Sequence, residues 1–350
     1  MLRRVLAIVL GFGCPVFGAD LAYLEDLLEQ AGAAGQVDDA TRAAAYQAKR
    51  ELSRQLNRVD DGSLDAISLR LSMGLDDPRP EMRIAAAQAL AVKPREGTVD
   101  GLLAALERES KPAARRVLVR SVTRVIAGLP QHAREAAIPA ALGIFSGMIR
   151  ARTTESELRC QLTVSLGCLG PVALPSLRAF RADPRWGAIL HSVLPMAFAA
   201  TGDPAAGDDM LALYGSDASV GFRVGCLNAF GKLLRQNEAV GGGQLQSAID
   251  LLRTTIVEDP DPALAAAAAL AYVRWPGAKS DQQVVQIVQD RLPDASGDEL
   301  TAYLRALVAL DVPLGATARA FLETMADPRT ASARHQKIAS ALLAMQMGGE

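Results

Sequence analysis

One phrase recurs along this 350-residue chain, and its recurrence limits the fold more than any other feature. The clearest copy is Asp77-Pro78-Arg79-Pro80-Glu81-Met82-Arg83-Ile84-Ala85-Ala86-Ala87-Gln88-Ala89-Leu90. It reads as a tight Asp/Pro turn, an Arg, and then a run of Ala and Leu. Blurred copies follow at intervals of about 30–45 residues, a period that belongs to stacked repeats rather than to one rounded core. Half of the residues are hydrophobic but only 4% are aromatic, which favours thin, closely packed helices. No stretch alternates with period two, so strands are not expected.

The expected architecture is all-α, an α-solenoid of antiparallel helix pairs. Eight pairs are read. First members fall near Leu64–Leu75, Val99–Glu109, Ala136–Arg150, Val172–Ala182, Asp209–Tyr214, Leu245–Val257, Gln282–Leu292 and Ala316–Met325. Second members fall near Pro80–Val92, Pro112–Ala127, Glu155–Leu169, Trp186–Ala200, Val220–Leu234, Pro262–Val273, Asp298–Leu310 and Thr330–Met345. Asp77-Pro78, Asp183-Pro184, Asp259-Pro260 and Asp327-Pro328 all lie between the two members of a pair. A carboxylate there caps free N–H groups, and Pro needs no donor in a first helical turn.

Arg83, Arg115, Arg159, Arg223 and Arg334 occupy matching places in the second helices. Seven residues on, and so on nearly the same face, come Leu90, Val122, Leu166, Phe230 and Ala341. Such an Arg series reads either as a ligand-binding ladder or as an internal brace to a turn Asp or a carbonyl of the adjacent unit. Recurrence in unit after unit favours the brace.

The pattern Asp-Pro-x-x-x-x-Arg-x-x-Ala-x-x-Ala-Leu resembles a HEAT repeat, in particular the bacterial HEAT-like type also found in phycobilin lyases. Asp77, Pro78, Arg83, Ala86, Ala89 and Leu90 carry the match, and Ser216-Asp217 through Arg223 and Phe230 repeat it more loosely. The copies near Trp186 and Asp298 lack the Arg. The resemblance covers most of residues 63–347. It implies an armadillo-like, right-handed superhelix whose second helices line the concave side.

Three regions are expected: a secretory leader at 1–19, an N-terminal helical cap at 20–62, and the solenoid at 63–350. Arg3 and Arg4 precede the apolar run Val5–Phe12, and Gly18 and Ala19 offer cleavage sites before Asp20. The expected location is the periplasm or the exterior. The alternatives are a lipid anchor at Cys14 or an uncleaved N-terminal anchor. The run is short for a membrane span, and no later segment reaches 18 uninterrupted apolar residues. Losing Arg3 and Arg4 takes Lys and Arg from 37 to 35 against 39 Asp and Glu, a net charge of −4. That balance argues against general nucleic-acid binding.

Past the leader, Cys160, Cys168 and Cys226 remain. The first two lie on one expected helix, about 12 Å apart along it, too far for a disulfide, which needs Cα atoms within about 7 Å. Each is expected as a small buried apolar residue. A bridge from Cys226 to one of the others stays open.

No catalytic, cofactor or metal constellation emerges. His132, His191 and His335 fall in separate units, without a second ligand at metal spacing. Phosphate-binding Gly loops, nucleophile elbows and His-Glu-x-x-His helices are not encoded. The sharpest surface feature is Arg116, Arg120 and Arg124, one stripe of a second helix at four-residue spacing. It reads either as a solvated face or as a strip that meets carboxylates or phosphates of a partner. The leading functional expectation is an exported, non-enzymatic scaffold holding a protein or peptide in its concave groove. The alternatives are a HEAT-like lyase or chaperone binding a small ligand, and a HEAT-like nucleic-acid binder.

Overall fold

The computed structural model describes residues 39–59, 61–238, 242–327, 329 and 331–347, and among these there is no strand. The leader at 1–19 and residues 20–38 of the expected helical cap lie outside the described residues. The chain divides into two compact units, Met1–Ser165 and Leu166–Glu350. Each is an all-α solenoid of antiparallel helix pairs.

In the first unit, α1 (Asp39–Arg58) buries Leu52 and Leu56 and packs on the second helix of the first pair. The pairs are α2 (Asp61–Met73) with α3 (Pro80–Leu90), α4 (Val99–Arg108) with α5 (Pro112–Gly128), and α6 (Gln131–Arg150) with α7 (Ser156–Gly167). The division between units falls in the last turn of α7. In the second unit, α8 (Leu174–Ala182) pairs with α9 (Pro184–Leu190) and α10 (Leu194–Ala200). Next come α11 (Ala206–Ser216) with α12 (Val220–Gln236), and α13 (Gln246–Glu258) with α14 (Pro262–Tyr272). The last are α15 (Gln282–Asp290) with α16 (Gly297–Leu310), and α17 (Ala316–Ala326) with α18 (Ala333–Met347).

Two proline positions move the expected boundaries. The helix expected to open at Ala136 instead opens at Gln131 and runs through Pro139. Glu135, whose carbonyl loses its helical donor there, is exposed, so water can replace the missing bond. The second helix expected as one piece over Trp186–Ala200 is two, joined by a tight helical turn at His191–Val193. Pro195, in the first turn of α10, has no N–H to continue the α9 ladder.

The Asp/Pro turns close by a shared device. The carboxylates of Asp77, Asp183, Asp259 and Asp327 each accept the backbone N–H two residues on, at 2.8–2.9 Å. Asp183 therefore caps α9 directly, whereas Asp77 shapes the turn ahead of α3. At α14 the cap passes to Asp261, which accepts from Ala263 and Leu264.

The Arg series braces the pairs. Arg83 donates to the carbonyls of Asp77 and Pro78, Arg115 to that of Glu109, Arg223 to that of Asp217, and Arg159 to those of Ile149 and Ala151. These acceptors belong to the turn or helix end of the same pair, not of the adjacent unit as expected. Arg83 also crosses to the next pair, where it forks onto Glu109 at 2.7 and 2.9 Å. The residues seven on, Leu90, Val122, Leu166 and Phe230, are buried, whereas Ala341 is exposed.

The two rows of helices differ in closeness. In the second unit α10, α12, α14, α16 and α18 pack on one another in order. A Cβ on Gly231 of α12 would lie 2.9 Å from the Cα of Ala271 on α14. One on Gly167 would lie 2.1 Å from the carbonyl oxygen of Ala197 on α10. Ala265–Ala269 of α14 are all buried, so small side chains let these backbones approach. In the first-helix row such approaches involve side chains: a Leu245 methyl lies 3.0 Å from a Cβ on Gly207 of α11, and the Gln289 amide oxygen 3.0 Å from one on Gly315.

Candidate partner-binding face

The exposed flank of the second-helix row carries a depression in each unit. In the first, a hollow of about 380 Å³ lies between α1, α3 and α5. Leu52, Ala85 and Ala89 give it apolar walls, Gln88 a polar one, and Arg120 and Arg124 its charge. The i, i+4 spacing of α5 brings both guanidiniums to this rim. Arg120 also donates to the Arg116 carbonyl at 3.3 Å. Neither Arg120 nor Arg124 forms an ion pair among the described residues.

Arg116, the third member of the expected strip, stands apart. It is ion-paired with Glu157 of α7, and its carbonyl accepts from the Gln161 amide at 2.6 Å. It therefore joins neighbouring second helices, while Arg120 and Arg124 face the hollow.

The second unit holds a hollow that the sequence reading missed. It measures about 300 Å³ and lies between α12 and α14, lined by Asn228, Gly231, Lys232, Arg235, Leu270 and Arg274. Its cations come from α12 and from the turn just beyond α14, some forty residues apart in the chain. No single stripe announces it. The available signal is that α12, 17 residues long, contains no Asp or Glu.

Four arginines of the first-helix row are matched by carboxylates. Arg178 and Arg181 of α8 both reach Asp209 of α11 at 2.8 Å. Arg253 of α13 reaches Asp281 ahead of α15 at 2.8 Å, and Arg108 of α4 reaches Asp76 at 2.6 Å. Asp281 also accepts from the Tyr272 hydroxyl at 2.8 Å and caps α15 through Val284. Burial opposes its ionisation, but Arg253, Tyr272 and the capping N–H prevail and hold the carboxyl below the usual range.

Cys160, Cys168 and Cys226 are all free. Cys226 is buried, and burial pushes its thiol up to about 12. Cys160 is half-buried. Cys168, expected inside, is exposed just beyond α7. His132 lies 3.0 Å from Glu96, His335 lies 2.9 Å from the Thr301 hydroxyl, and His191 stacks on Phe222 at 4.1 Å while reaching Asp217 at 3.3 Å. Among the described residues no group of three or more His, Cys, Asp or Glu could hold a metal, and no helix is long and apolar enough to cross a membrane.

No family model and no curated protein matches the chain. It is similar to solved structures of the karyopherin Kap121p. One is Kap121p itself, at 12% identity and a TM-score of 0.47. Another is Kap121p bound to the SUMO protease Ulp1p, at 13% identity and a TM-score of 0.48. Both alignments cover 92% of this chain but only 37% of the Kap121p chain.

Proposed function

We propose that this protein is an exported, non-enzymatic HEAT-like scaffold that binds a protein or peptide through the exposed flank of its second helices. The observation that carries this reading is the division of charge. Arginines between first helices are paired with carboxylates, whereas Arg120 and Arg124 rim an open, partly apolar hollow with no carboxylate of their own among the described residues. Unpaired guanidiniums beside apolar walls suit a segment that offers both carboxylates and aliphatic side chains. A stack of helix pairs supplies such a surface over many turns without a deep catalytic cleft.

Export rests on the leader at 1–19, and the helical region at 20–62 would cap the open end of the stack. Fractionation with N-terminal sequencing should place the mature protein outside the cytoplasm, beginning after Gly18 or Ala19. Binding is tested with the mature protein as bait in envelope extract, followed by titration of the captured partner in purified form. Arg120→Glu with Arg124→Glu should abolish capture, and Asp100→Lys on an exposed position of α4 should not. Equal capture by the charge-reversed protein would sink the proposal.

A further inference from the structure

The second unit carries its own recognition site. We propose that the hollow between α12 and α14 binds an acidic peptide segment, with Lys232, Arg235 and Arg274 receiving its Asp or Glu carboxylates and Leu270 meeting an adjacent apolar side chain. Three observations converge on it. The hollow gathers two cations of α12 and one from the turn just beyond α14 into about 300 Å³, and no lining residue is acidic. None of the three cations is ion-paired among the described residues. Like charges brought together repel, so a site that keeps them together without a counter-ion is completed by an outside anion.

The third observation is the floor. Gly231 and Ala271 line it, and a Cβ on Gly231 would lie 2.9 Å from the Ala271 Cα. The absence of a side chain at Gly231 is required by this packing. The neighbouring Asn228 amide offers a donor to a peptide carbonyl. Apolar floor, amide and cations together match a peptide better than a bare small anion. The chain's net charge of −2 gives little long-range attraction for a nucleic acid, while a local cationic hollow on such a protein still selects an acidic segment.

This inference deepens the scaffold reading and rests on it, but its residues do not overlap the Arg120/Arg124 hollow. The test uses the mature full chain and a fluorescein-labelled peptide of mixed Glu, Asp and Leu, read by fluorescence anisotropy. The same peptide with Gln and Asn replacing its acids, inorganic phosphate, and a single-stranded oligonucleotide are the comparison ligands.

The acidic peptide should bind, its amide counterpart should bind at least about tenfold more weakly, and added salt should weaken the complex. Lys232→Gln with Arg235→Gln and Arg274→Gln should lower affinity by about tenfold or more while the thermal midpoint and circular dichroism hold. The corresponding Glu variants should lower it further. Arg120→Glu with Arg124→Glu should leave a measurable share of peptide binding that the added Gln substitutions remove. Equal binding of acidic and amide peptides, or an unchanged affinity in the Gln variant, overturns the proposal. Displacement of the peptide by sub-millimolar phosphate, or by the oligonucleotide at lower concentration than by unlabelled peptide, also overturns it. Partner capture that survives the Gln variant but fails with Arg120→Glu and Arg124→Glu rejects this site and leaves the scaffold reading standing.

Discussion

In the second unit the first helices are joined by charge and the second helices by backbone contact. Arg178, Arg181 and Arg253 each cross to a carboxylate on or next to the following first helix. Across the other row, Gly231 meets Ala271 and Gly167 meets Ala197 at distances that leave no room for a Cβ. Long side chains bridge the wider spacing, and small ones set the closer spacing. The consequence is functional. Charge used between first helices is neutralised in place, whereas Lys232, Arg235 and Arg274 stand on a row held together without them. Their removal should therefore spare stability, unlike removal of the paired residues.

The largest expected effect lies where the two modes meet. Glu109 is 3% exposed and sits at the end of a first helix, yet it takes both guanidinium bonds of Arg83 on a second helix, along with the Lys111 N–H at 2.8 Å. Glu109→Ala should cost about 3 kcal/mol, because Arg83 keeps its burial and loses its counter-charge. Urea unfolding at neutral pH measures it. Burial alone would raise this carboxyl's pKa, but Arg83 and the Lys111 N–H overcome that and leave it lowered. The stabilisation is therefore complete above the unfolded value of about 4.3 and fades as pH falls through the lower folded value. Glu109→Ala should flatten the stability profile in that acid window. An unchanged acid profile would show that the pair contributes no net linkage.

Gly231→Val breaks the closely packed row itself. The added Cβ meets the Cα and Cβ of Ala271 at 2.9 and 3.0 Å, and backbone cannot swing aside as a flexible chain end can. A cost of about 2 kcal/mol is expected, read as a lower thermal midpoint. A neutral outcome would mean that α12 and α14 can separate freely, and the contrast between rows would fall.

Much of this architecture is visible in the sequence because its causes are local. The Asp77, Asp183, Asp259 and Asp327 turns depend on residues two apart, and the run Ala265–Ala269 shows where helices come close. The break at His191–Val193 was equally local, since Pro195 encodes it, but an otherwise helical pattern conceals it. The site was half legible. Arg120 and Arg124 share one helix face, so spacing reveals them, whereas Arg116 at the same spacing is claimed by Glu157. The Lys232, Arg235 and Arg274 hollow depends on the register of α12 against α14, which no local pattern specifies. Exposure of Cys168 likewise follows from where α7 ends.

Asp281 tests the charged mode where it also reaches Tyr272 of the second row. Its carboxylate ties Arg253, Tyr272 and the first turn of α15 together, so Asp281→Asn keeps the shape but weakens three bonds. About 1–2 kcal/mol should be lost by chemical unfolding, with peptide affinity at Lys232, Arg235 and Arg274 unchanged. A matching loss of affinity would show that the first-helix ion pairs hold the recognition face in place, making the two rows one functional element.

The smallest effect has the opposite sign and separates the rows most cleanly. Gly143 lies within α6, a first helix, on an exposed position with nothing within 4 Å of where a Cβ would stand. A glycine in such a place adds only backbone freedom to the unfolded chain, so Gly143→Ala should raise stability by about 0.5–1 kcal/mol. The same change at Gly231 should lower it, because there the methyl meets Ala271. Opposite signs from one substitution at two helical glycines would tie the difference to spacing between neighbours rather than to helix propensity, which favours Ala at both. If Gly143→Ala is also destabilising, helix propensity does not govern the open glycine, and the sign at Gly231 can no longer be assigned to its contact with Ala271.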